Sequence, residues 1–452
     1  MIEPDTTLRI KSIKVTGLFG LYDHDVTLKE DRVTVIHGPN GVGKTVFLKL
    51  TNAFLRGSYH EIITVPFESF EIHFADNSIA RIQVEREPNN SRKIHLIFKN
   101  SEGVATDKST IDSEQLGPKR FSEQILDSLP FLVQMGPNEW LDRRTEEVIG
   151  SDDLVALVNE YAPKLAKKWV VREPKELREF RQRINVHLIE AQRLIRLTNV
   201  SGDWRYRPNR ERPTTNTVQE YSRDLKRKLE STLATYAKHS QKLDQTFPQR
   251  LLQGIVDPLT IDQLKVELQQ VEATRERLKK IGILDGGEST QDTYPLQISK
   301  LDGMQSGQLP VMSVYARDTK QKLAVLAELS ERIEILLDVL NRKFTNKQVT
   351  ISRESGIAIF GKDGNPIPIT ALSSGEQHEL VLLYDLLFKV KPNTLVLIDE
   401  PELSLHISWQ KGFMDDLLEI IRLAHFDVLI ATHSPYIVGD HSDLLVILSS
   451  ES

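Results

Sequence analysis

A glycine-rich octapeptide, GPNGVGKT, carries the residues of this sequence that are best suited to bind phosphate. It matches the pattern G-x-x-x-x-G-K-S/T, follows the apolar run 33–36 and opens a segment typical of a helix. Glycines let the backbone fold around a phosphate chain with its N–H groups pointing inwards, and a helix N-terminus adds partial positive charge. The predicted phosphate-binding loop consists of Gly38, Pro39, Asn40, Gly41, Val42, Gly43, Lys44 and Thr45.

Two side chains at the end of this loop have separate predicted roles. Lys44 is placed to reach the β- and γ-phosphates of a nucleoside triphosphate, and Thr45 is placed to bind Mg²⁺. A glycine-rich turn with a surface lysine is the alternative interpretation, but the preceding strand and the following helix are the setting that phosphate binding requires. We therefore expect a nucleoside triphosphate and Mg²⁺ as ligands of this loop.

A second segment, LVLIDE, runs from Leu395 to Glu400. Its four apolar residues followed by two acids predict a buried strand that delivers carboxylates to its C-terminal end, where ligands lie in open α/β sheets. We expect Asp399 to hold Mg²⁺ through water, and Glu400 to orient and polarise the attacking water. Many strands end in an acid, so this assignment depends on the phosphate-binding loop that accompanies it.

A third segment, LSSGEQ, precedes an apolar helix. Serine and glycine at a helix start leave unpaired N–H groups that can bind an anion. The spacing of Ser373 and Glu376 also fits a capping box, and both roles can hold at once. The candidate binding residues of this segment are Ser373, Ser374, Gly375 and Glu376.

A fourth segment, ATHSP, again follows an apolar strand. His433 within it could hydrogen-bond the γ-phosphate. A single histidine at a strand end usually has a structural role, but the order of the four segments favours a catalytic one here. The peptide PELSLH, from Pro401 to His406, lies between the second and the fourth segment.

The strands and helices that must position these residues lie at both ends of the chain. Alternating and then apolar residues over 8–36 predict strands, a helix is expected from Thr45 to about Leu55, and residues 62–99 resemble a β-meander. Near the C-terminus, TLVLIDE and DVLIATH are short apolar runs typical of buried parallel strands, and LLVILSS is predicted as a final strand. The predicted fold class is therefore α/β.

The middle of the chain, from about 172 to 345, has a different character. Apolar residues recur there at steps of three and four, which predicts amphipathic helices that pair with each other. Each run is short, so we expect a short coiled-coil-like helical arm rather than a long rod. The segments with this spacing cover 177–194, 218–229, 261–278 and 326–340, with polar linkers at 198–216 and 284–310.

The predicted organisation is one head interrupted by this arm. A chain of 452 residues suits about three units, or one domain with a large insertion. The N-terminal lobe of the head is assigned to residues 1–170, the helical arm to 171–345 and the C-terminal lobe to 346–452.

Composition excludes several classes of protein. The net charge of −6 excludes a polycation of the histone type, although it is compatible with a local basic patch. The absence of cysteine excludes disulfides, thiolate zinc sites, iron–sulfur clusters and a cysteine nucleophile. The sequence shows neither a signal peptide nor an apolar run of the ~20 residues needed to span a membrane. We expect a soluble cytoplasmic protein without a membrane partner.

Taken in chain order, GPNGVGKT, LSSGEQ, LVLIDEPELSLH and ATHSP resemble the motifs of the ABC-type ATPases. The resemblance is to the branch that contains the SMC, RecF and OLD-like proteins rather than to the transporters, because more residues separate GPNGVGKT from LSSGEQ than a transporter cassette allows. It covers about 1–150 and 345–452. It implies an ABC-type ATPase head of mixed sheets and helices with a helical, short coiled-coil-like insertion.

This resemblance implies that ATP is bound and hydrolysed between two copies of the chain. Ser374 and Gly375 of one copy would contact the γ-phosphate bound at Lys44 of the other, so the chain is expected to form at least a dimer. Glu400 and His433 would be the further catalytic residues of this ATPase.

A glutamine that reaches the site is also expected from the resemblance. The candidate is Gln134, in the segment FLVQMGPNEW at the end of a short apolar run. Phe19 and Tyr22, in GLFGLYDH, are candidates for contact with adenine, or they belong to the core.

The same segments are similar to ATPase components of bacterial anti-phage systems, and in particular to the ATPase subunits of the PARIS system. Members of that family form homo-oligomers, hold a Toprim-type nuclease partner and release it on sensing a phage protein. The residues after Ser434 leave no room for a Toprim domain, and the sequence contains no HExxH or HNH-type motif. We therefore expect no nuclease activity in this chain and a separate Toprim-type effector. ATPases paired with other effectors, such as Septu-like ones, are the alternative within this class.

Two other functions are compatible with these residues. One is a RecF/SMC-like DNA-binding ATPase of DNA repair, and the other is an ATP-latched scaffold with slow turnover. The segment WRYRPNRER, from Trp204 to Arg212, interleaves four arginines with two aromatic residues. Such a segment could contact DNA phosphates and stack on bases, bind an acidic phage protein that acts as a trigger, or be a solvated loop.

Overall fold

A computed structural model describes fourteen parts of the chain: residues 9–86, 92–105, 109–112, 125–136, 139–144, 147–149, 154, 157, 173–191, 195–197, 214–252, 258–284, 307–403 and 405–448. The chain divides into two compact units, one made of Met1–Thr215 with Lys389–Ser452 and the other of Asn216–Phe388. The segment from Trp204 to Arg212 lies outside the described residues.

The N-terminal part of the chain is rich in strands. Its strands are β1 (Ile10–Leu18), β2 (Tyr22–Thr27), β3 (Val33–His37), β4 (Ser69–Phe74), β5 (Ile79–Arg86), β6 (Arg92–Lys99), β7 (Ser109–Asp112), β8 (Leu132–Gly136), β9 (Glu139–Asp142), β10 (Glu147–Ile149), β11 (Asn185–Ile189), β12 (Ile195–Leu197) and β13 (Thr214–Asn216). Its helices are α1 (Lys44–Arg56), α2 (Tyr59–Ile62) and α3 (Lys175–Arg181).

The middle part is mainly helical, and the C-terminal part alternates strands with helices. The middle elements are α4 (Thr217–Leu252), α5 (Ile261–Lys280), α6 (Leu309–Ala324), α7 (Ala327–Lys343), β14 (Lys347–Ser352), β15 (Gly356–Gly361), β16 (Pro366–Ile367) and α8 (Ser374–Tyr384). The C-terminal elements are β17 (Thr394–Asp399), α9 (Ile407–Lys411), α10 (Phe413–Ala424), β18 (Asp427–Thr432), α11 (Pro435–Val438) and β19 (Leu445–Ile447).

A parallel sheet with the strand order β11-β17-β18-β3-β19 lies in the first unit. Every residue of β17 is buried, as the apolar run from Leu395 to Ile398 predicts for a strand that is covered on both faces. The predicted parallel strands and the final strand are confirmed. Because parallel strands end at the same edge, the residues that follow β3, β17 and β18 are brought together there.

A second, antiparallel sheet of the same unit has the order β2-β1-β4-β5-β6-β7 and contains the predicted meander. Helix α1 packs between the two sheets, since one apolar cluster joins Ile13 of β1, Phe54 of α1, Phe70 of β4 and Leu397 of β17. The rings of Phe54 and Phe70 lie 5.5 Å apart between centroids. This packing fixes α1, and with it the loop that precedes the helix.

The second unit is built around helices. In α4 the buried residues Val218, Tyr221, Leu225 and Leu229 recur at steps of three and four, which is the spacing that predicted the helix. Helix α6 packs against both α4 and α5. The predicted helices over 218–229, 261–278 and 326–340 are confirmed.

The first predicted helical segment, 177–194, is helical only as far as Arg181, and the prediction is wrong for 185–189. Helix α3 ends at Arg181, and β11 follows and pairs in parallel with β17 over five residues. β11 provides backbone hydrogen-bond partners for the edge of β17 that β18 does not occupy, and this long-range pairing outweighs the local spacing of apolar residues. Helix α6 was not predicted, and its first residues fall within the predicted linker 284–310.

The observed unit boundaries differ from the predicted arm of 171–345. The helical unit begins at Asn216, because β11 belongs to the parallel sheet, and it continues to Phe388. It continues past residue 345 because β14 packs against α7, and α8 packs against α4 and α7.

The predicted α/β class with mixed sheets and a helical insertion is confirmed. Within the described parts of the chain, none of the helices combines the length and the apolar character that a membrane crossing needs.

Candidate functional site

The predicted phosphate-binding loop connects β3 to α1. Gly41 and Gly43 both have positive φ angles, 87° and 92°, and Gly43 caps the N-terminus of α1. A Cβ atom on Gly43 would lie 2.6 Å from Leu18 Cδ2, so both conformation and packing require glycine there. A Cβ on Gly41 would meet no atom within 4 Å, which leaves open space beside the backbone of the loop.

A residue of the antiparallel sheet contacts the backbone of this loop. His24 of β2 is buried, and its Nε2 lies 2.7 Å from the carbonyl oxygen of Val42. The ring of Tyr22 stacks on His24 at 5.9 Å. Sequence analysis missed His24, because only the alternation of β2 marked it as an inward-facing residue. Tyr22 therefore has a structural role as a neighbour of this support.

Phe19 lies beside the loop with an exposed ring. Its side chain is 42% exposed, and its Cε2 would lie 3.5 Å from a Cβ on Gly43. An exposed aromatic ring at this position suits stacking against a base. The adenine contact stays a prediction, and of the two candidates Phe19 has the exposed ring, whereas Tyr22 stacks on His24.

Lys44 is the central cation of the site. Only 5% of the residue is exposed. Its Nζ donates hydrogen bonds to the carbonyl oxygens of Gly38 at 2.7 Å and Pro39 at 2.9 Å. The same Nζ lies 3.1 Å from Nδ1 of His433. Lys44 and His433 are therefore neighbours, although 389 positions separate them in sequence.

Burial lowers the pKa of the Lys44 ammonium below its ordinary value, because desolvation penalises the charged form. The carboxylates of Glu400, Glu402 and Asp399 oppose this shift. Lys44 is thus a partly desolvated cation near three acids. A bound polyphosphate would supply the opposite charge directly.

Thr45 and Asp399 meet at the start of α1 and the end of β17. Thr45 Oγ1 donates a hydrogen bond to Asp399 Oδ1 at 2.9 Å. Burial raises the pKa of Asp399, and the hydrogen bond from Thr45 opposes the shift. A hydroxyl and a carboxylate side by side are the hard oxygen ligands that Mg²⁺ prefers.

Glu400 lies in the turn that follows β17. Its φ angle of 44° is in the left-handed region, which costs a non-glycine residue about 1–3 kcal/mol. Its backbone N–H donates to Ala431 O at 2.9 Å, which holds the turn against the end of β18. Glu400 Oε1 then lies 3.6 Å from Nε2 of His433, so the histidine ring stands between Lys44 and Glu400.

A further acid, Glu190, follows β11 at the same edge of the sheet. Its charge raises the pKa of Asp399, and Lys49, whose Nζ lies 3.6 Å from Glu190 Oε1, acts in the opposite direction. Sequence analysis missed Glu190 because it assigned residues 177–194 to a helix. The strand pairing of β11 is the feature that reveals it.

The predicted LSSGEQ segment begins helix α8 in the second unit. Ser373 is the N-cap, and its Oγ accepts from the backbone N–H of Glu376, while Glu376 Oε2 accepts from the backbone N–H of Ser373 at 2.8 Å. The capping box is therefore present. Ser374, the first residue of the helix, is exposed.

Glu376 is engaged within this unit. It is buried, and Lys347 Nζ donates to its two carboxylate oxygens at 2.6 and 2.8 Å. Burial alone would raise the pKa of Glu376, but the hydrogen bonds from Lys347 and Ser373 outweigh it and lower the pKa. The carboxylate stabilises the start of α8, and this leaves Ser374 and Gly375 as the residues suited to meet a ligand.

Gln134 lies on β8, in a separate three-stranded antiparallel sheet with β9 and β10. It is half-buried and faces Trp140 in the strand register. Its contribution to the site stays a prediction. The chain that follows β11 continues to Gln192, which lies outside the described residues.

No curated protein matches the chain. Among solved structures, an Smc head domain with an extended coiled coil bound to the C-terminal domain of ScpA, from Pyrococcus furiosus, is 12% identical, covering 98% of this chain and 94% of that chain with a TM-score of 0.34. An SMC head domain from Thermotoga maritima is 10% identical, covering 96% and 92% with a TM-score of 0.33.

Both TM-scores lie below 0.5, so these likenesses add nothing to the argument from the site. The model of a protein family described as the AAA ATPase domain matches residues 9–438, which is most of the chain. The chain belongs to this AAA ATPase domain family.

Proposed function

We propose that this chain binds ATP with Mg²⁺ at the edge of its parallel sheet and hydrolyses the γ-phosphate. The observation that carries the proposal is the convergence of Lys44, Thr45, Asp399, Glu400 and His433 from three parallel strands onto one position. Positive-φ glycines and open space beside Gly41 suit a phosphate chain held by backbone N–H groups.

Each residue of this cluster has a chemical task that its surroundings support. Lys44 binds the β- and γ-phosphates, and the pair of Thr45 and Asp399 would hold Mg²⁺. When bound, the metal ion neutralises charge that develops on the phosphate oxygens. Glu400 orients the attacking water and accepts its proton, while His433 holds the γ-phosphate from the side between Lys44 and Glu400.

We further propose that a second copy of the chain completes the site. Ser374 and Gly375 begin a helix whose first residue is exposed, and a helix N-terminus attracts an anion. The sequence resemblance to ABC-type ATPases supports their approach to ATP bound at Lys44 of the neighbouring copy. ATP then forms part of the interface.

Mixing two inactive variants tests this proposal. Lys44→Ala removes the phosphate-binding cation, and Ser374→Arg places a bulky side chain at an exposed helix start, where the fold can accommodate it. A mixed dimer keeps one intact site, formed by the loop of the Ser374→Arg chain and the helix of the Lys44→Ala chain. We expect each variant alone to be inactive and the 1:1 mixture to recover about a quarter of wild-type ATP turnover, because half of randomly formed dimers are mixed.

The matched control mixes Lys44→Ala with Glu400→Gln. Both changes lie in the same half of the composite site, so no mixed dimer contains an intact one, and turnover should stay at the level of the single variants. Equal recovery in the two mixtures, or no recovery in either, would contradict completion of the site by a second copy.

The position of the predicted glutamine is tested in the same assay. Gln192 follows β11, the strand beside β17, and is therefore the second candidate. We expect Gln192→Ala to lower kcat about 100-fold, the lower end of the effect of removing one group that stabilises a transition state. A loss found with Gln134→Ala and not with Gln192→Ala would instead assign the contact to Gln134.

We propose, finally, that the ATP-bridged oligomer controls a separate nuclease in anti-phage defence, as in PARIS-like systems. The support is the sequence similarity of the four motifs and their neighbours to ATPase subunits of such systems. A phage protein or DNA would be the trigger, with the segment from Trp204 to Arg212 as a candidate contact.

Two measurements separate this role from DNA repair. Co-purification of a Toprim-type nuclease encoded beside this chain would support defence. Binding to duplex DNA that weakens steeply with salt, without a nuclease partner, would support a RecF-like role instead.

A further inference from the structure

The turn after β17 contains a third acid, Glu402, that none of the predicted roles uses. One oxygen of its side chain, Oε1, accepts three hydrogen bonds from the segment that contains His433. The donors are the hydroxyl of Thr432 at 2.8 Å, the backbone N–H of His433 at 2.7 Å and the backbone N–H of Ser434 at 3.1 Å. A single carboxylate oxygen thus fixes three consecutive residues.

The other oxygen of Glu402, Oε2, is buried and has no hydrogen-bond partner in the described part of the chain. No hydrogen bond at Oε2 within that part of the chain therefore helps to fix the Glu402 side chain. The three bonds at Oε1 determine where Glu402 sits, and they connect it to one segment only.

A second connection joins the same two stretches of chain. Ser434 Oγ donates to Gln410 Oε1 at 2.7 Å, and Gln410 Nε2 donates to the carbonyl oxygen of Leu405 at 3.0 Å. Thr432 is fully buried at the end of β18. Glu402 and Leu405 after β17 and the segment over 432–434 are therefore held as one hydrogen-bonded unit.

The fixed backbone of His433 places its ring. Nδ1 lies 3.1 Å from Lys44 Nζ, and Nε2 lies 3.6 Å from Glu400 Oε1. We propose that Glu402 is a positioning residue, which holds His433 between the phosphate-binding lysine and the water-activating glutamate without contacting the nucleotide itself. This inference rests on the proposed ATPase function.

The chemistry of the three bonds sets the expected effect of substitutions. Hydrogen bonds to a carboxylate are stronger than neutral ones, so their loss frees the His433 segment. Glu402→Ala removes the acceptor, whereas Glu402→Gln keeps an acceptor oxygen in place and directs its amide toward the unpartnered side. We expect Glu402→Ala to lower kcat roughly 10- to 100-fold with little change in the KM for ATP, because a displaced group costs turnover. We expect Glu402→Gln to retain most of the activity.

A double-mutant cycle with His433→Ala distinguishes positioning from a general structural role. If Glu402 acts through His433, adding Glu402→Ala to His433→Ala causes no further loss of kcat beyond about twofold. The matched control is Glu419→Ala, which removes an exposed glutamate of α10 and should leave kcat unchanged in both backgrounds. Thermal unfolding of each variant is measured alongside.

An equal loss of kcat with and without the His433 side chain would overturn the inference, and so would a KM increase as large as the loss of kcat. If Glu402→Ala does not fold, Glu402→Met, which keeps the volume without the oxygen atoms, enters the same cycle. Full activity of Lys44→Ala would overturn the proposed function itself, whereas additive effects with an inactive Lys44→Ala would overturn only the role of Glu402.

Discussion

Lys44→Ala is expected to abolish measurable ATP binding, with the Kd raised at least about 100-fold. The buried ammonium group is the cation that the loop carbonyls hold at the position for the phosphates, and charge-assisted bonds to phosphate are the strongest contacts that the site can offer. Isothermal titration with ATP and Mg²⁺ measures the effect directly. Turnover should be lost in parallel.

Lys11→Ala is the matched control for this experiment. Lys11 is an exposed lysine on β1, and its removal changes the net charge of the chain by the same amount. Its ATP affinity should stay within about twofold of wild type, since exposed charges act weakly across solvent. Tight ATP binding by Lys44→Ala would contradict the assignment of the phosphate-binding loop.

Glu400→Gln is expected to lower the rate of ATP hydrolysis about 1,000-fold while leaving ATP affinity nearly unchanged. Glutamine keeps the size and the hydrogen-bonding oxygen of the side chain, but it cannot accept the proton of the attacking water. Because Glu400 is held in its turn by the backbone bond to Ala431, the substitution should not disturb the loop. Single-turnover hydrolysis and ATP titration give the two quantities.

The same variant separates two modes of action. If the Glu400→Gln oligomer forms with ATP and keeps the proposed nuclease partner but does not activate it, hydrolysis is the trigger. If the Glu400→Gln oligomer keeps the proposed nuclease partner and still activates it, the result would support the ATP-latched scaffold with slow turnover. Size-exclusion chromatography with light scattering reports assembly, and Glu419→Gln serves as the charge-matched control. Hydrolysis by Glu400→Gln within about twofold of wild type would contradict its catalytic role.

The motifs were predictable because their chemistry is local. The glycines at 41 and 43 adopt the positive φ angles that a phosphate-binding turn requires, and the capping box of Ser373 and Glu376 forms within one helical turn. Short apolar runs such as LVLI within β17 are typical of buried parallel strands, because a strand that is covered on both faces has no side that faces water.

The place of β11 in the parallel sheet was not predictable from the spacing of apolar residues alone. Apolar residues between 177 and 194 fit a helical repeat, yet β11 forms there because the edge of β17 offers backbone partners. Because of this pairing, Glu190 lies close enough to Asp399 to raise its pKa. The helical unit begins at Asn216 rather than at the predicted residue 171. The pairing of β11 with β17 therefore determines that 185–189 form a strand, which the local sequence pattern does not.

Local sequence patterns were sufficient to predict the glycine-rich loop, the two acids at the end of β17, the helix start at Ser374 and the histidine after β18. Which of them meet depends on the three-dimensional fold, in which His433 lies between Lys44 and Glu400 and Glu402 holds the backbone of that histidine. The physical reason is that a turn or a cap is specified by neighbouring residues, whereas contacts between parallel strands depend on backbone hydrogen bonds between distant segments.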